Sequence, residues 1–379
     1  MGIALSANFI RPGRVGGVEQ AFYNLVLGLL DCGANTTIVG GEGRLARGMK
    51  ENLVARGAIV DSKAFVNNRF LAEEMFAATE SRDFVGTVFP NYYLPMTKNR
   101  RLGTTITIVH DLQHLHFPQN FSLAKRLWLE KCIPHALRAS DIVVCISDAT
   151  RVDVEANYGA GRSRIVTIPN AVDWSRLEIR DGGAQPETVE HPYVLSVAHH
   201  FAHKNLDTLI RAVGEISKTR DDLKLVLVGQ LSNALGSGSY SNRLTETIRE
   251  GQLENVVRFT GLIDDATLGR LYRSAAVFCS PSLFEGFGLP AVEAIGLGVP
   301  TIVSGIESLK EVTLGRAEYV SNPLSVDEWS ARISRAIEDP KNEHDRQLDA
   351  ARVRAAYSRS VIAQKYLSLL GAGNKGTVG

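Results

Sequence analysis

Two glutamates eight positions apart, Glu285 and Glu293, sit in the stretch SPSLFEGFGLPAVEAIGLGVP (280–300). An ionised carboxylate only accepts hydrogen bonds, so such a pair suits hydroxyl donors. Between them, Gly286 and Gly288 expose backbone N–H groups around Phe287 and Leu289. Pro290 has the fixed φ and the missing donor that suit the first helical position, which starts a helix near Leu289 or Pro290. A strand ending near Ser282 then leaves Glu285 in the loop at its C-terminal end and Glu293 in the first helical turn. Two hydroxyl acceptors flanking a nest of amide donors complement a molecule with hydroxyls and an oxyanion. A sugar joined to a nucleotide diphosphate is such a molecule.

Three further stretches carry polar groups where a ligand could meet them. AHHFAHK (198–204) follows an apolar run and precedes NLDTLIRAV, whose Leu206, Leu209, Ile210 and Val213 recur at helical spacing. With Asn205 as N-cap, Lys204 arrives at a helix N-terminus, where cation and N–H groups together suit a phosphate. Histidines there add hydrogen bonds when neutral and charge when protonated. No carboxylate or thiolate accompanies them, so an anion grip is favoured over a metal. RPGRVGGVEQ (11–20) is a glycine-rich turn between the first strand and first helix, with Gly16 and Gly17 allowing close approach of a ligand. It is not GxGxxG, which removes the dinucleotide fingerprint. VHDLQHLHFPQNFS (109–122) puts His110 and Asp111 at the end of a buried strand, followed by His114 and His116. No helical period aligns these histidines, so no metal is expected.

These stretches need strand ends to hold them, and the chain supplies such ends throughout. Apolar runs at 2–10, 36–40, 104–110, 141–147, 193–198, 223–229, 256–261, 275–282 and 300–305 alternate with longer helical patterns. That alternation predicts parallel sheets covered by helices, in two doubly wound Rossmann-like α/β domains facing across a cleft. At 379 residues, with 44% hydrophobic and 22% charged residues, the chain suits two soluble domains. A net charge of +1 gives no global field for nucleic acid or anionic membrane. Cys32, Cys132, Cys145 and Cys279 have no ligand spacing, and Cys145 and Cys279 read as small buried hydrophobes. With no secretory segment and no membrane-length apolar run, the expectation is a cytoplasmic protein.

At this point the chain resembles the retaining, nucleotide-sugar-dependent glycosyltransferases of the two-Rossmann GT-B architecture. The resemblance runs in order through GGVE (16–19), VHDL with FPQNFS (109–122), CISDATRVDV (145–154), IPNAVD (168–173), HKNLDTLI (203–210), VRFTGLIDDATLGRLY (257–272) and SLFEGFGLPAVEA (282–294). The last is the family's E-x7-E motif. The resemblance implies that Gly16 and Gly17 lie against the donor phosphate and that His110 reaches hydroxyls of the transferred sugar. It further implies that Lys204 pairs with the diphosphate, with Leu262 and Ile263 lining the nucleobase slot. Glu285, with Gly286, Phe287, Gly288 and Leu289 around it, would face the donor sugar, and Glu293 would accept from the ribose. Asp111 and His114 are candidates for the acceptor side. Where many members have Gly-Arg, this chain has Ala198 and His199, which leaves a weaker or pH-sensitive phosphate contact. The domains implied are an acceptor-side domain at 1–175, a linker at 176–192 and a donor domain at 193–355. A helix at 356–370 would pack back on the first domain, ahead of a disordered tail at 371–379.

The expected chemistry is retaining transfer of a hexosyl unit from a nucleotide diphosphate sugar to a glycan or lipid-linked acceptor. No metal or other cofactor is needed, since cations and helix ends hold the charge. The VHDL…FPQNFS variant leans towards a mannose-type GDP donor in surface polysaccharide synthesis. A nucleotide-sugar epimerase of the same fold and a non-catalytic nucleotide-sugar-binding protein are the alternatives. TKNRR (97–101) and the helical pattern at 121–139, with Lys125, Arg126, Trp128 and Lys131, offer a peripheral contact with the inner face of the cytoplasmic membrane. The plainer reading of that helix turns Leu123, Leu127 and Ile133 inward.

Overall fold

The computed structural model describes residues 2–10, 17–41, 43–61, 68–159, 161, 163–178, 192–229 and 238–371. They fall into two compact units. The first comprises Met1–Leu112, Leu123–Val172 and Tyr357–Gly379, and the second Gln113–Ser122 and Asp173–Ala356.

The first unit contains β1 (Gly2–Ser6), β2 (Thr36–Val39), β3 (Ile59–Asp61), β4 (Phe84–Phe89), β5 (Thr104–Val109), β6 (Ile142–Cys145) and β7 (Arg164–Thr167). They form one sheet in the order β3-β2-β1-β4-β5-β6-β7, with every pairing parallel. The second unit contains β8 (Tyr193–Val197), β9 (Lys224–Val228), β10 (Val257–Gly261), β11 (Val277–Ser280), β12 (Thr301–Ser304) and β13 (Glu318–Val320). Their order is β10-β9-β8-β11-β12-β13, again parallel throughout. This is the doubly wound α/β class expected from the alternating pattern.

Continuous apolar strands form because both sheet faces are covered. All four residues of β6 are buried, and Cys145 there, like Cys279 in β11, packs as a small apolar side chain. The helix Leu206–Ser217 buries Leu206, Leu209, Ile210, Val213 and Ile216 against the second sheet. Burying each such side chain is worth about 1.5–3 kcal/mol. In the first unit the closing helix Arg359–Leu369 packs on the helix Gly17–Asp31. The contact is so close that a Cβ at Gly28 would collide with the Arg359 carbonyl oxygen. Nearby, the Val172 N–H donates to the Tyr357 carbonyl at 2.9 Å.

The helix Leu123–Ala139 departs from its expected orientation. Ile133 turns inward with Leu129, Cys132, Ala136 and Leu137, but Leu123 and Leu127 are 66% and 50% exposed. The buried stripe thus begins at Leu129, nearly two turns later than the apolar pattern suggested. Among the described residues no helix is long and apolar enough to cross a membrane.

Each sheet reverses its strand order at the centre, between β1 and β4 and between β8 and β11. Loops leaving neighbouring strands on opposite sides of such a switch point leave a crevice at the strands' C-terminal ends. In the second unit those loops are the histidine-rich 198–204 and the glutamate-bearing 281–288.

Candidate functional site

The two loops of the second unit are tied together by their backbones, because the Leu283 N–H donates to the His203 carbonyl at 2.7 Å. That tie places Lys204 beside Glu285, and the ammonium Nζ donates to Glu285 Oε1 at 2.7 Å. The Ser282 hydroxyl donates to the same oxygen, also at 2.7 Å. The paired side chains are 17% and 14% exposed, so the pair is partly screened but still reachable. Beyond Glu285, Gly288 caps the helix Leu289–Gly296 with φ of 79°, where a Cβ would strike Leu309. Only glycine fits there without strain. Leu289 takes the first helical position and Pro290 the second, one place later than expected. Glu293 therefore opens the second turn of the helix rather than lying in its first.

Glu293 is 2% exposed and has internal partners on both oxygens. The Arg176 guanidinium is bonded to Oε1, and the Tyr272 hydroxyl donates to Oε2 at 3.1 Å. Arg176 also pairs with Asp265. Burial pushes the Glu293 carboxyl up from its ordinary range, with Arg176 and Tyr272 pulling it back. Arg176 falls at the start of the expected linker, 176–192. It lies in the single-turn helix Trp174–Leu177, whose Trp174 ring packs against Gly296.

The three histidines of AHHFAHK are neutral supports rather than extra cations. His203 is 4% exposed, and burial, with Lys204 beside it, pushes its pKa down to about 2. Its ring is held by the side-chain amides of Gln113, at 2.8 Å from Nε2, and Asn120, at 3.1 Å from Nδ1. His199 is shifted in the same direction by burial and by Lys204. His200 is fully buried against Phe259, and neither ring nitrogen has a partner among the described residues. Burial and His199 bring its pKa to about 4. Lys204 is thus the cation that this stretch brings to Glu285.

Asn205 precedes the next helix but does not cap it with its side chain. It adopts the left-handed region, φ 53°, held there because Nδ2 donates to the Pro281 and Pro323 carbonyls at 3.1 and 2.8 Å. The first helical amide, Leu206 N–H, donates at 2.8 Å to the Tyr240 hydroxyl. The first amides of that helix end are thus already engaged by Tyr240, so a phosphate here would depend on Lys204 more than the N-cap reading implied.

The remaining expected residues are placed as follows. Leu262 and Ile263 follow β10, with Leu262 63% exposed. Gly17 opens the helix Gly17–Asp31, while Gly16 lies outside the described residues, as do 179–191 of the expected linker and 372–379 of the expected tail. His110 directly follows β5 in the first unit, 7% exposed, with Nε2 at 3.0 Å from the Pro90 carbonyl. That contact requires the proton on Nε2 and leaves Nδ1 as an acceptor. Burial lowers the His110 pKa, opposed by the Pro90 carbonyl and by Asp111, so it stays neutral at pH 7. Asp111 accepts from the Tyr92 hydroxyl at 3.2 Å. His114 belongs to the second unit with His116, their rings set against Phe121 and Phe284. Among the described residues no three His, Cys, Asp or Glu side chains gather as metal ligands would. Ser282, Arg176, Tyr272, Gln113 and Asn120 are the contributors that motif reading passed over.

Two family models match the chain: glycosyltransferase family 4 over residues 15–176, and glycosyl transferases group 1 over residues 180–354. An O-antigen chain mannosyltransferase B from Escherichia coli is 29% identical over 266 residues, 68% of this chain and 67% of that protein. An O-antigen chain mannosyltransferase from Salmonella typhimurium is 26% identical over 243 residues, covering 64% of this chain and 62% of its own length. Among solved structures, a sucrose-phosphate synthase from Thermosynechococcus elongatus has a TM-score of 0.73 at 20% identity, covering 98% of this chain and 100% of that one. Anabaena HepE in complex with UDP and glucose has a TM-score of 0.72 at 18% identity, with the same coverage. At such identity these structures speak to the fold.

Proposed function

From the premise that the chain belongs to the group 1 and family 4 glycosyltransferases, we propose that it moves a hexosyl unit from a nucleotide diphosphate sugar to a glycan or lipid-linked acceptor. The transfer retains the anomeric configuration and uses no metal. The observation that carries this reading is the Lys204–Glu285 contact at the strand ends of the second unit, with Glu293 eight positions on. Lys204 supplies positive charge for a diphosphate, Glu285 accepts a hydroxyl of the transferred sugar, and Glu293 accepts from the ribose. Gly286, Phe287, Gly288 and Leu289 bring backbone N–H groups towards the same ligand. Neutral His110 offers Nδ1 to a sugar hydroxyl, and Asp111 and His114 serve the acceptor side.

In the reaction the bond from the anomeric carbon to the diphosphate oxygen breaks as the acceptor oxygen bonds to that carbon on the same face. The acceptor's proton passes to the departing diphosphate, which needs no enzymic nucleophile. Lys204 stabilises the negative charge that develops there. A mannose-type GDP donor and an acceptor in surface polysaccharide synthesis are supported by the two O-antigen mannosyltransferases among the relatives. The exposed Leu123 and Leu127, beside Lys125 and Lys131, support a peripheral contact with the cytoplasmic membrane surface.

The test is to incubate the chain with GDP-mannose, UDP-glucose and other sugar nucleotides, with and without EDTA, together with membrane-extracted acceptors. Expected are one preferred donor, a product with the donor's anomeric configuration by NMR, and turnover unchanged by EDTA. Inversion, or loss of turnover in EDTA, would overturn the corresponding part. Conversion of the donor without any acceptor would favour the epimerase.

A further inference from the structure

Glu293 is assigned to the ribose, yet it lies almost completely buried beneath two protein donors. An ionised carboxylate reads a diol well only if it stays charged and points one way. Burial works against the first, and a glutamate's rotatable bonds work against the second. The groups that face it are Arg176 and Tyr272, with Asp265 behind Arg176. Each carboxylate oxygen has two acceptor sites, so one protein donor per oxygen leaves one site on each for a ligand.

Arg176 is fixed for such a role from both sides. One arm of its guanidinium meets Glu293 and the other meets Asp265, at the first position of the helix Asp265–Ser274. Its Nε–H is buried with no partner among the described residues. The backbone that carries it is held independently of its side chain. Trp174 packs on Gly296 with Arg354 over its ring, Leu177 is fully buried, and the Leu177 carbonyl accepts from Arg273 at 2.6 Å.

We propose that Arg176 is a positioning residue for the nucleotide: held by Asp265, and together with Tyr272, it keeps Glu293 ionised and aimed so that the carboxylate reads the vicinal hydroxyls of the ribose. The inference rests on the nucleotide diphosphate reading of the second unit. It assigns to a residue from the stretch between the domains the task of telling a ribonucleotide from its deoxy analogue.

The experiment is calorimetric titration of the full chain with GDP and UDP and with their 2′-deoxy and 3′-deoxy analogues. The proteins are wild type, Arg176→Met, Arg176→Lys, Glu293→Gln and the double variant Arg176→Met/Glu293→Gln. A site that reads a hydroxyl through a charged acceptor should reject the analogue lacking it by about tenfold or more. Wild type should show that ratio with the nucleotide it binds, and Arg176→Met should bring it to within about twofold. Arg176→Lys keeps the charge without the two-armed geometry and should fall between. The double variant should match Glu293→Gln, since Arg176 acts through Glu293. In Arg176→Met, ribonucleotide affinity should recover as pH rises from 6 to 9, as the unpaired Glu293 loses its proton, while wild type stays flat. The double variant, which has no buried carboxylate to leave unpaired, guards against a folding defect in Arg176→Met. A selectivity ratio in folded Arg176→Met equal to wild type would overturn the assignment of Arg176 and leave the donor site standing. A wild type that binds ribose and deoxyribose forms equally would overturn both the ribose role of Glu293 and this inference. A wild type that binds no nucleotide would overturn the donor-site reading, and the inference with it.

Discussion

Replacing Glu285 with glutamine should tighten the binding of a free nucleoside diphosphate while slowing transfer. In this structure Lys204 is engaged, its ammonium 2.7 Å from Glu285 Oε1. A diphosphate must compete with that carboxylate for the same cation. At 2.7 Å and an effective dielectric of about 20, the Coulomb attraction is about 6 kcal/mol before desolvation and screening. The net worth of such a pair is far smaller. An exposed pair contributes about 0–1 kcal/mol, and a hydrogen bond to a charged group about 1.5–3 kcal/mol. With both side chains about one-sixth exposed, a net value of ~1.4 kcal/mol lies between these limits and corresponds to tenfold in affinity. Glutamine keeps the carbonyl that Lys204 and Ser282 donate to but removes the charge. GDP or UDP, whichever the wild type binds, should therefore bind Glu285→Gln about tenfold more tightly by calorimetry. Turnover should fall, because glutamine is a weaker acceptor for the sugar hydroxyl that Glu285 is proposed to meet. Lys204→Ala provides the control, losing affinity in either background. Equal or weaker diphosphate binding by Glu285→Gln would refute the competition, and with it the reading of Lys204 as the phosphate cation.

Three further outcomes concern stability. His200→Leu removes two buried, unpartnered ring nitrogens and should stabilise the protein by about 1–3 kcal/mol. The gain should grow as pH falls below 6.5: the depressed folded pKa, about 4, makes the unfolded chain bind the proton first, and calorimetric scans at pH 5 and 7 will show whether it does. Glu73 is buried with Ser6 and Asn8 as its donors among the described residues, and burial raises its pKa to about 7. A raised carboxyl means stability present below about pH 4.5 and lost as pH rises to 7, so Glu73→Gln should melt above wild type at pH 8 and lose that advantage at pH 4.5. Gly28→Ala forces a methyl into the Arg359 carbonyl and should cost about 1–3 kcal/mol, measured by urea unfolding, with wild-type stability counting against the close helix packing.

The fold was legible where a strand is a continuous apolar run and obscure where it is short or broken. DIVVCIS and LKLVLVG announce β6 and β9 because both faces of these central strands are covered. Strands β3, β7 and β13 are three or four residues long, stand at sheet edges and leave side chains half-exposed, so alternation and burial alike give little signal. Strand β4 is central, yet FVGTVF is interrupted by Gly86, a residue that normally weakens a strand. Its reason is tertiary: a Cβ there would meet the Leu370 side chain, from the far end of the chain. The helix Leu123–Ala139 shows the converse, an apolar spacing that suggests a buried stripe but cannot say at which turn burial begins.

The site divides along a similar line. Type and local spacing single out Glu285, Glu293, Gly288 and Lys204, and the structure brings Lys204 to Glu285 and puts Gly288 at the helix cap. What could not be found were the contacts that decide their state, because each comes from a distant stretch with its own plausible local reading. Tyr272 fits the apolar face of its helix, and only its hydroxyl, 3.1 Å from Glu293, gives it a polar role. Gln113 and Asn120 lie ninety and eighty-three positions from the His203 they hold. Arg176 sits in a polar, turn-rich run that reads as connection, and a single helical turn converts it into the partner of the most deeply buried carboxylate of the motif. The histidines of AHHFAHK, which the sequence leaves open between neutral hydrogen-bonding groups and added charge, are decided in the same way. A side chain's charge at neutral pH depends on burial, and burial here takes the protons off His199, His200 and His203. The stretch brings one cation, Lys204, to the site, and Glu285 already holds it. On the proposed reading, donor binding is an exchange of partners at Lys204, so its strength should be set as much by Glu285 as by any group that touches the phosphate.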